Sequence, residues 1–112
     1  MSRHSTAHHF LQGLVDLGVE YIFANLGTDH VSLIEEMARW DSEGLKHPEM
    51  ILCPHEVVAV HMAGGYALAT GRGQAVFVHV DAGTANACSI CWPASSEPAP
   101  PGRIECVLLQ TS

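Results

Sequence analysis

The chain has 112 residues, 47% of them apolar and 15% charged; at roughly 150 residues per domain this is one domain or a piece of one, and not a disordered tail. Five Lys and Arg against twelve Asp and Glu leave a formal charge of −7, an excess of acid that disfavours nucleic acid and anionic membrane surfaces as partners. No apolar run approaches the roughly 20 residues of a membrane span, and MSRHSTAHHF lacks the apolar core of a signal peptide, so a cytoplasmic, intracellular location is expected.

Ser5 stands where a helix cap is needed. Ala7, Phe10, Leu11, Leu14 and Val15 then recur at the three- and four-residue spacing of one helical face, with Gly18 to end the helix. The period changes after that. Val19–Ala24 (VEYIFA) is short, rich in β-branched and aromatic residues, and bounded by Gly18 and the Asn25-Leu26-Gly27 turn, as a buried strand would be. A second helix is predicted over Val31–Trp40, starting near Asp29 or His30 and turning Val31, Ile34, Met37 and Ala38 inward.

After a polar connection with Gly44 and Pro48, Met50–Cys53 forms a short apolar strand stopped by Pro54. Glu56–Thr70 is apolar on nearly every side, which predicts a helix enclosed by other elements. Its Gly64-Gly65 pair points to a close backbone neighbour. Ala75–Val80 (AVFVHV) reads as a strand covered on both faces. Strands alternating with helices give the α/β class, a parallel sheet with flanking helices, and there is no internal repeat.

The chain changes character at Cys88. Residues 1–87 read as one unit. Residues 88–112 form a divergent Pro-rich tail, with Pro93, Pro98, Pro100 and Pro101 inside PASSEPAPPG, where only Ile104–Leu109 fits a further short strand. The four cysteines, Cys53, Cys88, Cys91 and Cys106, are few and unevenly spaced, so reduced thiols are expected. Cys88 and Cys91 make one pair only, short of the four ligands of a structural zinc, and lack the tryptophan of a thioredoxin-like redox motif.

In an open parallel sheet, ligands sit beyond the carboxyl ends of the strands. The loops expected there are residues 25–30, 54–56 and 81–86. Each is also explained by ordinary turn and capping chemistry. Glu56 is the least ordinary, a carboxylate between a strand and a very apolar helix, although it also suits the positive end of a helix dipole.

The run His55-Glu56-Val57-Val58-Ala59-Val60-His61-Met62-Ala63-Gly64-Gly65-Tyr66-Ala67, followed by Thr70-Gly71-Arg72-Gly73, resembles the H-E-x-x-A-x-x-M-A-x-G-Y-A…T-G-x-G segment of thiamine-diphosphate-dependent enzymes, the acetolactate synthase and benzoylformate decarboxylase relatives. Tyr21-Ile22-Phe23…Gly27-Thr28 and Gly83-Thr84-Ala85-Asn86-Ala87 fall where that family has its first substrate loop and its G-x-x-N turn. The resemblance spans residues 5–87 through three co-linear motifs.

It implies an incomplete pyrimidine-binding domain in which Glu56 hydrogen-bonds the cofactor's aminopyrimidine ring at N1′. An acid there stabilises the imino tautomer, whose N4′ removes the thiazolium C2 proton. A poorly solvated carboxyl whose proton is readily shared suits that task. Gly83, Thr84 and Asn86 are implied to line the cofactor pocket, His79 to exchange a proton with a 2-keto acid adduct, and Thr28 to hydrogen-bond that substrate. A strand-end histidine and a helix-capping threonine are the ordinary alternatives.

The family holds the diphosphate through Mg²⁺ on a second domain with a G-D-G…N motif, which this sequence lacks. A diphosphate-binding domain or a homo-oligomeric partner is therefore implied, and the chain by itself is expected to be inactive, a truncated, aberrantly spliced or frame-shifted form of an enzyme. A subunit of a split decarboxylase and a non-catalytic interaction module are the rival expectations.

Overall fold

The computed structural model of the protein describes residues 3–88. Helix α1 (Thr6–Asp16) leads into strand β1 (Tyr21–Ala24). A 3-10 turn at Thr28–His30 opens α2 (Val31–Ser42). Then come β2 (Glu49–Leu52), α3 (Glu56–Thr70), β3 (Ala75–Phe77) and α4 (Val80–Cys88). The tail with its Ile104–Leu109 strand, Cys91 and Cys106 lies outside the described residues.

The three strands form a parallel sheet in the order β2-β1-β3, with Ile22 opposite both Met50 and Ala75. Period-two alternation divides their side chains between two cores. Ile22, Ala24, Ala75 and Phe77 join Leu14 on one face, against α1 and α2. Phe23 and Val76 join Ala59, Val60 and Ala63 of α3 and Ala87 of α4 on the other. The result is a helix–sheet–helix sandwich, the α/β class expected from the alternating pattern.

Local chemistry accounts for the element ends. Ser5 caps α1 by accepting from the His8 amide at 3.1 Å, and Gly71 closes α3 in the left-handed region at φ 72°. β1 starts two residues later than the apolar run, because the Gln74 side-chain oxygen takes the Glu20 and Tyr21 amides at 3.0 and 2.8 Å. β2 is shifted by one residue, from Met50–Cys53 to Glu49–Leu52. β3 is three residues long instead of the six in AVFVHV: once Asn25 N–H donates to the Phe77 carbonyl at 3.1 Å, β1 has turned away and offers no further ladder partner.

Three burial expectations are corrected. In α2, Val31 and Ile34 are 52% and 41% exposed and Ala38 is also exposed. Met37 is buried as expected, and Glu36 and Trp40 complete the inward face. The rotation follows from Glu36, which accepts from Ser5 Oγ, Trp40 Nε1 and the Arg39 guanidinium and lies 3.0 Å from His8 Nδ1, tying α2 to α1. α3 is not enclosed among the described residues: Val58, Met62 and Leu68 are 38%, 43% and 75% exposed. Of its two glycines, Gly64 is buried, whereas a Cβ at Gly65 would meet nothing within 4 Å, so no close backbone neighbour explains Gly65. No helix among the described residues is long and apolar enough to cross a membrane.

Candidate functional site

The carboxyl ends of β1, β2 and β3 deliver Asn25, His55-Glu56 and His79 to one end of the sheet. Residues 81–86, expected as a loop, are helical: α4 begins at Val80, so Gly83 and Ala87, four apart, share its buried face and Asn86 stands beside them. Val80 enters at φ 50°, a left-handed value unfavourable for a β-branched residue. That turn directs the chain from β3 straight into the helix.

Glu56 is the first residue of α3 and only 6% exposed. Asn25 Nδ2 donates to its Oε1 at 3.0 Å, Asn86 Nδ2 donates to Oε2 at 3.3 Å, and His55 Nδ1 lies 3.7 Å from Oε2. Burial, the largest single influence, pushes the Glu56 pKa up, yet its own backbone amide, the Asn86 and Asn25 amides and His55 together hold it below the ordinary carboxylate range. In this arrangement the group is a buried carboxylate, stabilised by donors that favour its charged form.

Gly83 faces that carboxylate: a Cβ there would stand 2.9 Å from Glu56 Oε1 and 3.4 Å from the Val78 Cβ. Thr84 turns its hydroxyl back to the Val80 carbonyl at 3.0 Å, a bond within its own helix. Of the pocket residues named from the sequence, Glu56, Gly83 and Asn86 thus meet directly, joined by Asn25, which sequence reasoning passed over. Its signal was legible only as an Asn in the turn after β1.

His79 belongs to a neighbouring cluster. Its Nδ1 lies 2.6 Å from Asp29 Oδ1, and its ring lies against Gly27, where a Cβ would approach Nδ1 to 2.0 Å. His30 is 5% exposed, stacks on Phe77 with centroids 5.7 Å apart, and accepts the Gly27 amide at its Nδ1 at 3.1 Å. Asp29 links the two histidines, and Asp29, His30 and His79 offer ligand atoms within 4.8 Å of one another. Burial raises the Asp29 pKa, but the His79 hydrogen bond, His30 and the Asp29 backbone amide hold it below the usual range. Thr28 is exposed at the start of the 3-10 turn, next to Asp29. The Gly83 amide donates to the His79 carbonyl at 3.1 Å, so the two clusters share backbone.

A buried carboxylate faced by a glycine and two amide side chains thus stands at the carboxyl end of the parallel sheet, where ligands of open α/β sheets bind. The thiamine pyrophosphate enzyme N-terminal TPP binding domain family matches residues 4–100, and the chain belongs to that family. It is 38% identical over 87 residues to the acetolactate synthase large subunit of Haemophilus influenzae, covering 78% of this chain and 14% of that protein. It is 37% identical over 67 residues to the acetolactate synthase large subunit of Buchnera aphidicola subsp. Schlechtendalia chinensis, covering 60% and 11%. A solved structure from Mycobacterium smegmatis assigned as a thiamin diphosphate-dependent enzyme superposes with a TM-score of 0.61 at 30% identity, over 77% of this chain and 16% of that one. The chain is thus a TPP-binding domain of the acetolactate synthase-like type, spanning a small part of the length of these relatives.

Proposed function

We propose that the chain holds the aminopyrimidine ring of thiamine diphosphate at Glu56, as the pyrimidine-binding part of a 2-keto acid decarboxylase or carboligase. The observation that carries this reading is the 6% exposed Glu56 carboxylate with Gly83 beside it, where no side chain could stand without displacing Glu56 Oε1. A flat heterocycle fits such a glycine-walled edge. When bound, the cofactor supplies the carbon nucleophile and electron sink for decarboxylation.

The remaining roles belong to this chain. Asn25 and Asn86 keep Glu56 ionised and aimed. A ring nitrogen that replaces one of those amide donors removes part of what favours the carboxylate, and burial then raises its affinity for a proton, which it shares with the ring. His79, at the rim, exchanges a proton with the 2-keto acid, and Thr28 hydrogen-bonds the substrate. Gly83, Thr84 and Asn86 border the cofactor. Mg²⁺ and the diphosphate are held by a diphosphate-binding domain of a partner, so the chain alone turns over no substrate.

Calorimetric titration with thiamine diphosphate and Mg²⁺, with and without a diphosphate-binding domain from an acetolactate synthase, tests the reading. Binding that requires the partner and is weakened at least tenfold by Glu56→Gln supports it. Equal binding by both forms, or none with the partner present, removes it.

A further inference from the structure

Asp29 was singled out by no motif, yet it is the residue that fixes the ring of His79. Its Oδ1 stands 2.6 Å from His79 Nδ1, a charge-assisted distance. Its carboxyl is held in the ionised range, so it can only accept there. Two further contacts lock the geometry. Gly27 leaves the ring room that a Cβ would remove, and the Gly27 amide is pinned by His30 Nδ1, whose own ring is stacked 5° from parallel on buried Phe77. His79 Nε2 has no hydrogen-bond partner among the described residues, and the side chain is 34% exposed.

The three donors Asp29, His30 and His79 are also close enough for a divalent cation. The His30 lone pair at Nδ1, however, is already spent on the Gly27 amide, and His79 Nδ1 on Asp29. A cation bound at these two nitrogens would have to break both bonds.

We infer that Asp29 is a positioning residue that holds His79 as the Nδ1–H tautomer, so that the Nε2 lone pair is the proton acceptor presented to the substrate. This rests on the proton-exchange role of His79 given above. In that exchange Nε2 takes the proton of the hydroxyl that the substrate's keto oxygen becomes once its carbon has been attacked, the ring becomes imidazolium, and the same proton returns from Nε2; Asp29 stays a carboxylate throughout.

The test uses the ¹⁵N-labelled 112-residue chain without cofactor, in long-range ¹H–¹⁵N spectra at about pH 8.5, where imidazoles are neutral. The expected result is a single Nδ1–H pattern for His79 that collapses to a mixed tautomer signal in Asp29→Ala and is restored in Asp29→Asn, which keeps an acceptor oxygen. An Nε2–H or mixed pattern in the unsubstituted chain overturns the proposal, as does a pattern that Asp29→Ala leaves unchanged. Should Asp29→Ala lose its amide dispersion, Asp29→Asn decides: Nδ1–H supports the proposal and Nε2–H overturns it. Joint shifts of His30 and His79 with micromolar Zn²⁺ would make the cluster a metal site instead. Because the tautomer is read with no cofactor present, failure to bind thiamine diphosphate refutes the cofactor reading alone.

Discussion

Asn86 and Glu56 stand 30 residues apart in sequence and meet at 3.3 Å, so the last turn of α4 and the first residue of α3 share one carboxylate. The bond exists because α4 packs on α3 through Gly83 and Ala87 rather than running past it as a loop. Any change that widens that packing is felt at the carboxylate.

Gly83 and Gly65 make opposite predictions for the same substitution. Gly→Ala inside a helix ordinarily gains about 1 kcal/mol of propensity. At Gly65 nothing lies within 4 Å of the new methyl, so Gly65→Ala raises urea-unfolding stability by about 0.5–1 kcal/mol. At Gly83 the methyl meets Glu56 Oε1 at 2.9 Å, and overpacking of about 1–3 kcal/mol outweighs the gain. Gly83→Ala therefore unfolds at lower urea than the unsubstituted chain; a rise equal to that of Gly65→Ala refutes the close approach.

Gly27 has φ −141°, a value any residue adopts, so Gly27→Ala acts through space alone. Its Cβ would stand 2.0 Å from His79 Nδ1. The ring must leave Asp29, and stability falls by about 1–3 kcal/mol. Thermal unfolding together with the His79 ring resonances checks this: unmoved resonances in a folded Gly27→Ala chain contradict the packing.

Acid should weaken the α1–α2 contact through Glu36. The Arg39 hydrogen bond, with Trp40 and His8, outweighs burial and lowers the Glu36 pKa from 4.5 to about 2. Its folded pKa is depressed, so its contribution is complete above about pH 4.5 and is lost as pH falls toward about 2. The urea midpoint of the unsubstituted chain is expected to drop between about pH 6 and pH 3 by more than that of Glu36→Gln. Equal drops would place the acid sensitivity elsewhere.

The sheet has β2 and β3 at its edges among the described residues, and Leu52 of β2 and Leu68 of α3 are 71% and 75% exposed. Open edges and apolar side chains of this kind promote association. The chain is expected to self-associate at micromolar concentration, and the double substitution Leu52→Lys with Leu68→Lys to weaken that at least tenfold in sedimentation velocity. A monomeric unsubstituted chain overturns the expectation.

Local pattern determined much of this protein. The Ser5 cap, the boundaries of α3 at Glu56 and Thr70, the three short strands and the α/β class follow from periodicity and punctuation that act within a few residues. The family motif around Glu56 was equally legible, because its residue types are contiguous.

What periodicity misplaced, longer-range contacts explain. α2 turned Glu36 rather than Ile34 inward because Ser5, His8 and Arg39 satisfy a buried carboxylate, a compensation that hydrophobic spacing does not contain. The 81–86 segment became helix because β1 ends at Ala24 and releases β3 after Phe77. Only the tertiary structure brought Asn25 and Asn86 onto Glu56, and Asp29 onto His79. Those pairs are 30 to 50 residues apart, and hydrogen bonding between them depends on where the sheet and its crossovers carry each side chain, which no local stretch of sequence encodes.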